Sequence, residues 1–179
     1  MLKMLFFVFL FSSRLCFGQG TIESTGSSIS PDDAQAMLDQ HNKVRNDVHV
    51  PPLIWNSEIA SYAQHWADSL TTAYHCKLNH RGNVGKNYMG YGENIYMHMG
   101  TLSEPFKPVV ASVEWYSEMP QFKYGKLTSS NWYKTGHYTQ MVWKNTTQMG
   151  AGMATCPDGS IIVVANYNPP GNYMGEYPY

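Results

Sequence analysis

Apolar residues recur at three-to-four spacing along two stretches of the first half of the chain, and alternate or run together in two short stretches near its end. Ser30-Pro31-Asp32-Asp33 supplies an N-cap, a proline at the first helical position and acids in the first turn, so a helix starts there. Its inward stripe is Ala34, Met37, Leu38, His41, Val44, Arg45 and Val48, and it ends before Pro51-Pro52. His41 on that stripe reads as structural, a lone histidine packed with one nitrogen satisfied. Asn56-Ser57-Glu58 caps a second helix with Ile59, Ala63, Trp66, Leu70 and Ala73 inward and His65 in solvent.

From residue 75 to 92 the periodicity dissolves into glycine, asparagine and basic residues, a long irregular loop that contains His75, Cys76 and His80. Residues 92–96 read as a short extended piece. Glu104-Pro105 opens a third helix with Phe106, Val109, Val110, Val113 and Tyr116 inward; it ends at Met119-Pro120 and carries Glu114 and Glu118 on one face. Residues 121–135 read as a second long loop, rich in aromatics at Phe122, Tyr124, Trp132 and Tyr133. The next stretch, GHYTQMVW at residues 136–143, is β-prone by propensity and sets the imidazole of His137 at the edge of a run built for burial. Residues 148–155 and 160–167 are strands around Pro157-Asp158-Gly159, a hairpin signal. Helices first and strands last predict an α+β domain, layered α/β/α, without internal repeat.

Composition adds the compartment. Lys3, an apolar run from Met4 to Phe11 and the small-residue stretch ending at Gly18 have the layout of a secretory leader, with cleavage after residue 18 or 20. That divides the chain into a leader at 1–18, a flexible Ser/Thr/Gly-rich segment at 19–29 and a single domain at 30–179. The leader's apolar run is too short to span a bilayer, and no later segment is apolar enough, so the product is expected to be secreted, extracellular and not membrane-spanning. Loss of Cys16 with the leader leaves Cys76 and Cys156 in an oxidising compartment, where a pair bonds; the alternative is two separate buried thiols. Closing that loop is worth roughly 4 to 5 kcal/mol in the chain-entropy model. Asn145-Thr146-Thr147 is a glycosylation sequon, usable if its loop is exposed. A formal net charge of −1 with scattered basic residues excludes a field that would draw nucleic acid.

Histidines and glutamates at the edges of two loops suggest metal-assisted hydrolysis, with two histidines as ligands and glutamate as ligand or base. No HExxH or CxxC motif enforces a geometry, and surface or supporting polar roles fit the same residues. No GxSxG is present for serine chemistry, and the bridge would consume both thiols. The aromatic content could line a lipid pocket or simply fill an ordinary core.

Six stretches in order, HNKVR at 41–45, CKLNH at 76–80, GENIY at 92–96, WYSE at 115–118, GHYTQMVW at 136–143 and NYNPPGN at 166–172, resemble the CAP superfamily. That superfamily embraces cysteine-rich secretory proteins, antigen 5 and pathogenesis-related 1 proteins. The resemblance implies a three-layer α-β-α sandwich and a central cleft lined by His80, Glu93, Glu118 and His137. It selects Glu118 over Glu114, since the family glutamate lies three residues after the tryptophan. It implies that GHYTQMVW is a short helix with His137 in its first turn, and that His41 is structural. Family cysteines are replaced here by Tyr91, Ala151, Ala165 and Asn168, and no cysteine-rich extension follows, which disfavours channel blocking. What the resemblance implies for function is a non-catalytic extracellular module for sterol or other lipid, with Phe122, Tyr124, Trp132 and Tyr133 in the lipid-binding loop. The cleft is expected to hold a divalent metal such as Zn²⁺ through His80 and His137. The alternatives are a metal-dependent hydrolase or protease at the same cleft, and an immune-modulatory or signalling protein acting on an extracellular protein partner through its surface.

Overall fold

In the computed structural model, residues 21–83, 90–100 and 105–179 are described. The leader at 1–18 and the expected start of the third helix at Glu104 lie outside the described residues.

Ser30 accepts from the Asp33 N–H and Pro31 takes the first turn, so α1 runs Pro31–Asp47 and buries Ala34, Met37, Leu38, His41, Val44 and Arg45. Asn56 accepts from the N–H groups of Glu58 and Ile59 and starts α2, Ser57–Thr72. Its buried face is the expected stripe with Ala60 and Ala67 added, while Ala73 falls outside as the exposed C-cap. Residues 21–29, within the segment expected to be flexible, make contacts with the domain. Ile29 and Thr25 are buried, Trp55 Nε1 donates to the Thr25 carbonyl, and the Ser28 hydroxyl sits between Gln64 and the Met153 carbonyl.

Among the described residues, four strands form one sheet in the order β1-β3-β4-β2, namely Ile54–Trp55, Gln148–Thr155, Ile161–Asn168 and Gly92–His98. β1 runs parallel to β3, and the other pairs are antiparallel. Alternation divides β4: Ile162 and Val164 face α2, while Val163, Ala165 and Tyr167 face a second layer of helices. That layer contains α1, α3 (Val109–Tyr116) and α4 (Ser129–Met141). The result is an α-β-α sandwich with an apolar cluster on each side of the sheet.

β3 receives α2 through missing side chains. A Cβ on Gly150 would run into the backbone of Ala60 and Asn56, and one on Gly152 into Gln64, so the helix backbone lies directly on the strand. Ala151 and Ala165, at two of the replaced cysteine positions, face each other across β3 and β4 and are fully buried. Cys76 and Cys156 are bonded, tying the end of α2 to the hairpin across 80 residues of sequence.

Two expectations are corrected. The inward face of α3 is Ala111, Ser112 and Trp115, with Phe106, Val109 and Tyr116 packed at its margin; Val110 and Val113 are exposed. The second loop stops at Thr128, because α4 begins at Ser129 and takes Trp132, Tyr133 and Thr135 into helix. His137 is therefore well inside α4 rather than in its first turn.

Candidate functional site

α1 supplies the frame behind the site. His41 is wholly buried, and both its nitrogens are bonded, Nδ1 to the Met37 carbonyl at 2.8 Å and Nε2 to the Tyr167 hydroxyl at 2.9 Å. A carbonyl only accepts, so Nδ1 carries the proton and the Tyr167 hydroxyl donates to Nε2. Burial is the largest cause that lowers the His41 pKa, to about 4; the Met37 bond opposes it and the Arg45 charge adds to it. Arg45 is also buried, and donates to the carbonyls of Pro51, Met141, Trp143 and Thr146 at 2.7 to 3.0 Å. Met141 and Trp143 lie at the end of α4, so a buried cation caps the negative end of that helix. Desolvation lowers the guanidinium's pKa to about 10, which leaves it charged.

Two imidazole–carboxylate pairs stand at the edge strand β2. Glu93 points to the α2 side, where Oε1 accepts from His80 Nδ1 at 2.9 Å and from the Arg81 N–H at 3.0 Å. Arg81 is itself held by its bond to the Tyr62 carbonyl and its guanidinium lying 3.7 Å from the centre of the Tyr62 ring. Glu118 follows α3, and its Oε1 meets His137 Nδ1 at 2.7 Å while Oε2 accepts from the N–H groups of His137 and Tyr138. The carboxylates are largely covered, 7% and 18% exposed for Glu93 and Glu118, whereas the imidazoles of His80 and His137 are 47% and 38% exposed. The rings are thus the exposed partners and the carboxylates lie behind them. Glu114 is exposed, away from this arrangement.

All four expected residues line one cleft of about 230 Å³, with Asn94, Trp132, Tyr133, Gly136 and Asn172. A second lobe of about 320 Å³ shares His80, Glu93, Trp132 and Asn172 and extends past Tyr91, Gln140 and Gly171. Asn172 has φ of 60°, a region that asparagine tolerates, and its side chain bonds Gly136 O and Thr139 Oγ1 on α4. Among the described residues no group of three or more histidines, cysteines, aspartates or glutamates is arranged to hold a metal ion.

The four aromatics of the expected lipid loop divide. Phe122 packs on Tyr138 and Tyr179, and Tyr124 lies against Tyr177 and Tyr179 while donating to the Tyr179 carbonyl at 2.6 Å. Trp132 and Tyr133, from α4, line the cleft and are exposed. Asn145 and Thr147 of the sequon are exposed, with Thr146 buried between them. No helix among the described residues is long and apolar enough to cross a membrane. Sequence reasoning missed Asn94, Asn166 and Asn172 as supports of the cleft.

The sandwich agrees with comparison to known proteins. A family model described as the cysteine-rich secretory protein family, CAP, matches residues 38–167, and the chain belongs to that family. Pathogenesis-related protein 1A of Nicotiana tabacum is 38% identical over 145 residues, spanning 81% of this chain and 80% of that protein. Pathogenesis-related protein 1 of Arabidopsis thaliana is 36% identical over 152 residues, spanning 85% and 86%. Among solved structures, NaASP2 with Zn²⁺ aligns with a TM-score of 0.68 at 28% identity, covering 83% of this chain and 85% of that one. BmVAL-1 aligns with a TM-score of 0.70 at 27% identity, covering 88% and 86%.

Proposed function

We propose that this CAP protein is a secreted, non-catalytic binding module whose cleft holds a divalent cation such as Zn²⁺ through Nε2 of His80 and Nε2 of His137. The observation that carries the reading is the pairing of each Nδ1 with a carboxylate, at 2.9 Å and 2.7 Å. A carboxylate accepts, so it holds the neutral ring in the tautomer whose free lone pair is on Nε2, the usual support behind a metal-ligating histidine. Bound there, the cation would supply a positive charge and open coordination positions for a ligand's oxygen. Glu118 is engaged at both oxygens, which supports a holding role for it rather than that of a general base. The zinc in NaASP2 supports the same choice of metal. The Cys76–Cys156 bond supports an oxidising, extracellular destination.

Calorimetric titration with Zn²⁺ tests it, together with peptide and ester turnover assays. Binding that is abolished by His80→Ala or His137→Ala and is accompanied by no turnover is the expected result. Binding that survives both substitutions refutes the site, and metal-dependent turnover would move the protein to the hydrolase class.

The exposed Trp132 and Tyr133 at the cleft favour a second reading, sterol or other lipid bound beside the metal. Uptake of labelled cholesterol or fatty acid should then fall with Trp132→Ala or Tyr133→Ala. Equal uptake by these variants refutes it.

A further inference from the structure

The two imidazole–carboxylate pairs stand on either side of one sheet edge, and joint action on a single cation requires that one be fixed against the other. Strand alternation puts Glu93 on the α2 side and its neighbour Asn94 on the opposite side, toward α4. Asn94 borders the cleft but is only 1% exposed. Its amide nitrogen donates to the backbone carbonyl of His137 at 3.1 Å and to Tyr167 Oη at 3.2 Å. Because a carbonyl only accepts, the orientation of the amide follows from the His137 bond.

Behind it the chain continues into the core. Tyr167 Oη donates to His41 Nε2, and His41 Nδ1 donates to the Met37 carbonyl, so Asn94 is anchored through β4 to α1. The His137 peptide is thereby held on both sides, its N–H by Glu118 Oε2 at 2.9 Å and its carbonyl by Asn94. Trp115 stacks on the His137 ring with centroids 6.3 Å apart and closes a third direction. The His80 half has its own support, since Asn166 Nδ2 donates to the Gly92 carbonyl beside Glu93. Asn94 joins the halves directly: covalently next to Glu93, it is hydrogen-bonded to His137.

We propose that Asn94 is a positioning residue that fixes the His137 half of the site against the His80 half, so that the two Nε2 atoms clamp one divalent cation. This rests on the metal-binding reading above. Without Asn94 each imidazole keeps its own carboxylate, yet the pair no longer acts as a unit.

Zn²⁺ calorimetry on Asn94→Ser, His80→Ala and the double variant tests this, using the full folded chain with its disulfide intact. The expected result is about a 10- to 100-fold loss of affinity for Asn94→Ser at unchanged stoichiometry, the range for removing a residue that orients metal ligands. The double variant, like His80→Ala alone, should bind no zinc, and binding that persists in it overturns the clamp. A fall in stoichiometry with unchanged affinity would mark mere loss of folded protein and overturn the positioning role, as would affinity within about twofold of the unsubstituted chain. X-ray absorption of the zinc-loaded unsubstituted protein provides a check that needs no variant: two bound imidazoles are expected, and one overturns the clamp. An unsubstituted protein that binds no zinc removes the metal reading itself, a different outcome from binding that ignores Asn94.

Discussion

Acid should destabilise this protein through one buried residue, His41. In the folded state its pKa is about 4 against an ordinary 6.5, mainly because burial disfavours the charged ring. The unfolded chain therefore takes up the proton first. Stability is unaffected by this group above pH 7, begins to fall as pH drops through 6.5, and is fully lost to it below about pH 4. At about 1.4 kcal/mol per pKa unit, the loss is about 2 kcal/mol at pH 5 and about 3 kcal/mol at pH 4. His41→Phe keeps a ring against Trp115 and Tyr167 but cannot take up a proton, and it leaves the Tyr167 hydroxyl without its acceptor. That costs roughly 1–3 kcal/mol at neutral pH. Urea unfolding followed by tryptophan fluorescence at several pH values gives the difference between the two proteins, in which other titrating groups cancel. The gap should narrow by about 2 kcal/mol between pH 7.5 and pH 5. A gap that stays constant across that range would refute the assignment of His41 as a neutral, buried acceptor.

Arg45→Met strands four carbonyls and uncaps α4; unfolding experiments should show a loss of roughly 3–5 kcal/mol, with Arg45→Lys recovering less than half because an ammonium cannot span the four acceptors. Gly152→Val should force α2 off β3 and lower stability by at least about 1–3 kcal/mol by the same assay, whereas Gly159→Val in the hairpin, where a Cβ meets open space but φ is 87°, pays in backbone strain alone.

Hydrophobic periodicity located α1, α2 and the β3–β4 hairpin because their buried positions are apolar and regularly spaced. It failed at α4 for an identifiable reason. The buried face of α4 includes Thr135, Thr139 and Gln140, which are inside because each is hydrogen-bonded: to Asn131 O, to Asn172 Oδ1, and to Gly171 N and Thr146 Oγ1. The aromatic Tyr133 of the same helix is exposed. The local signal that could have found this helix is Thr128 three residues before Asn131, whose side chain accepts from the Thr128 N–H. On α3 the pattern misled in the opposite sense, since the buried face uses Ala111 and Ser112 and leaves Val110 and Val113 in solvent.

The cleft was legible only through its resemblance to a family, and β2 shows why residues alone did not suffice. GENIYMH lacks a clean alternation, and its buried residues Asn94 and Ile95 are adjacent. A slip of one residue would exchange Glu93 and Asn94 between the two faces of the sheet. Each would then face the other's partner, a carboxylate toward the His137 carbonyl and an amide toward His80. The register that prevents this is written in distant residues. Gly92 lies against the Gln140 side chain with no room for a Cβ, Asn166 grips the Gly92 carbonyl, and Asn94 grips the carbonyl of His137. The chemistry of the tetrad therefore depends on three asparagine and glycine contacts that carry no hydropathy signal, and a local sequence pattern has no means of recording them.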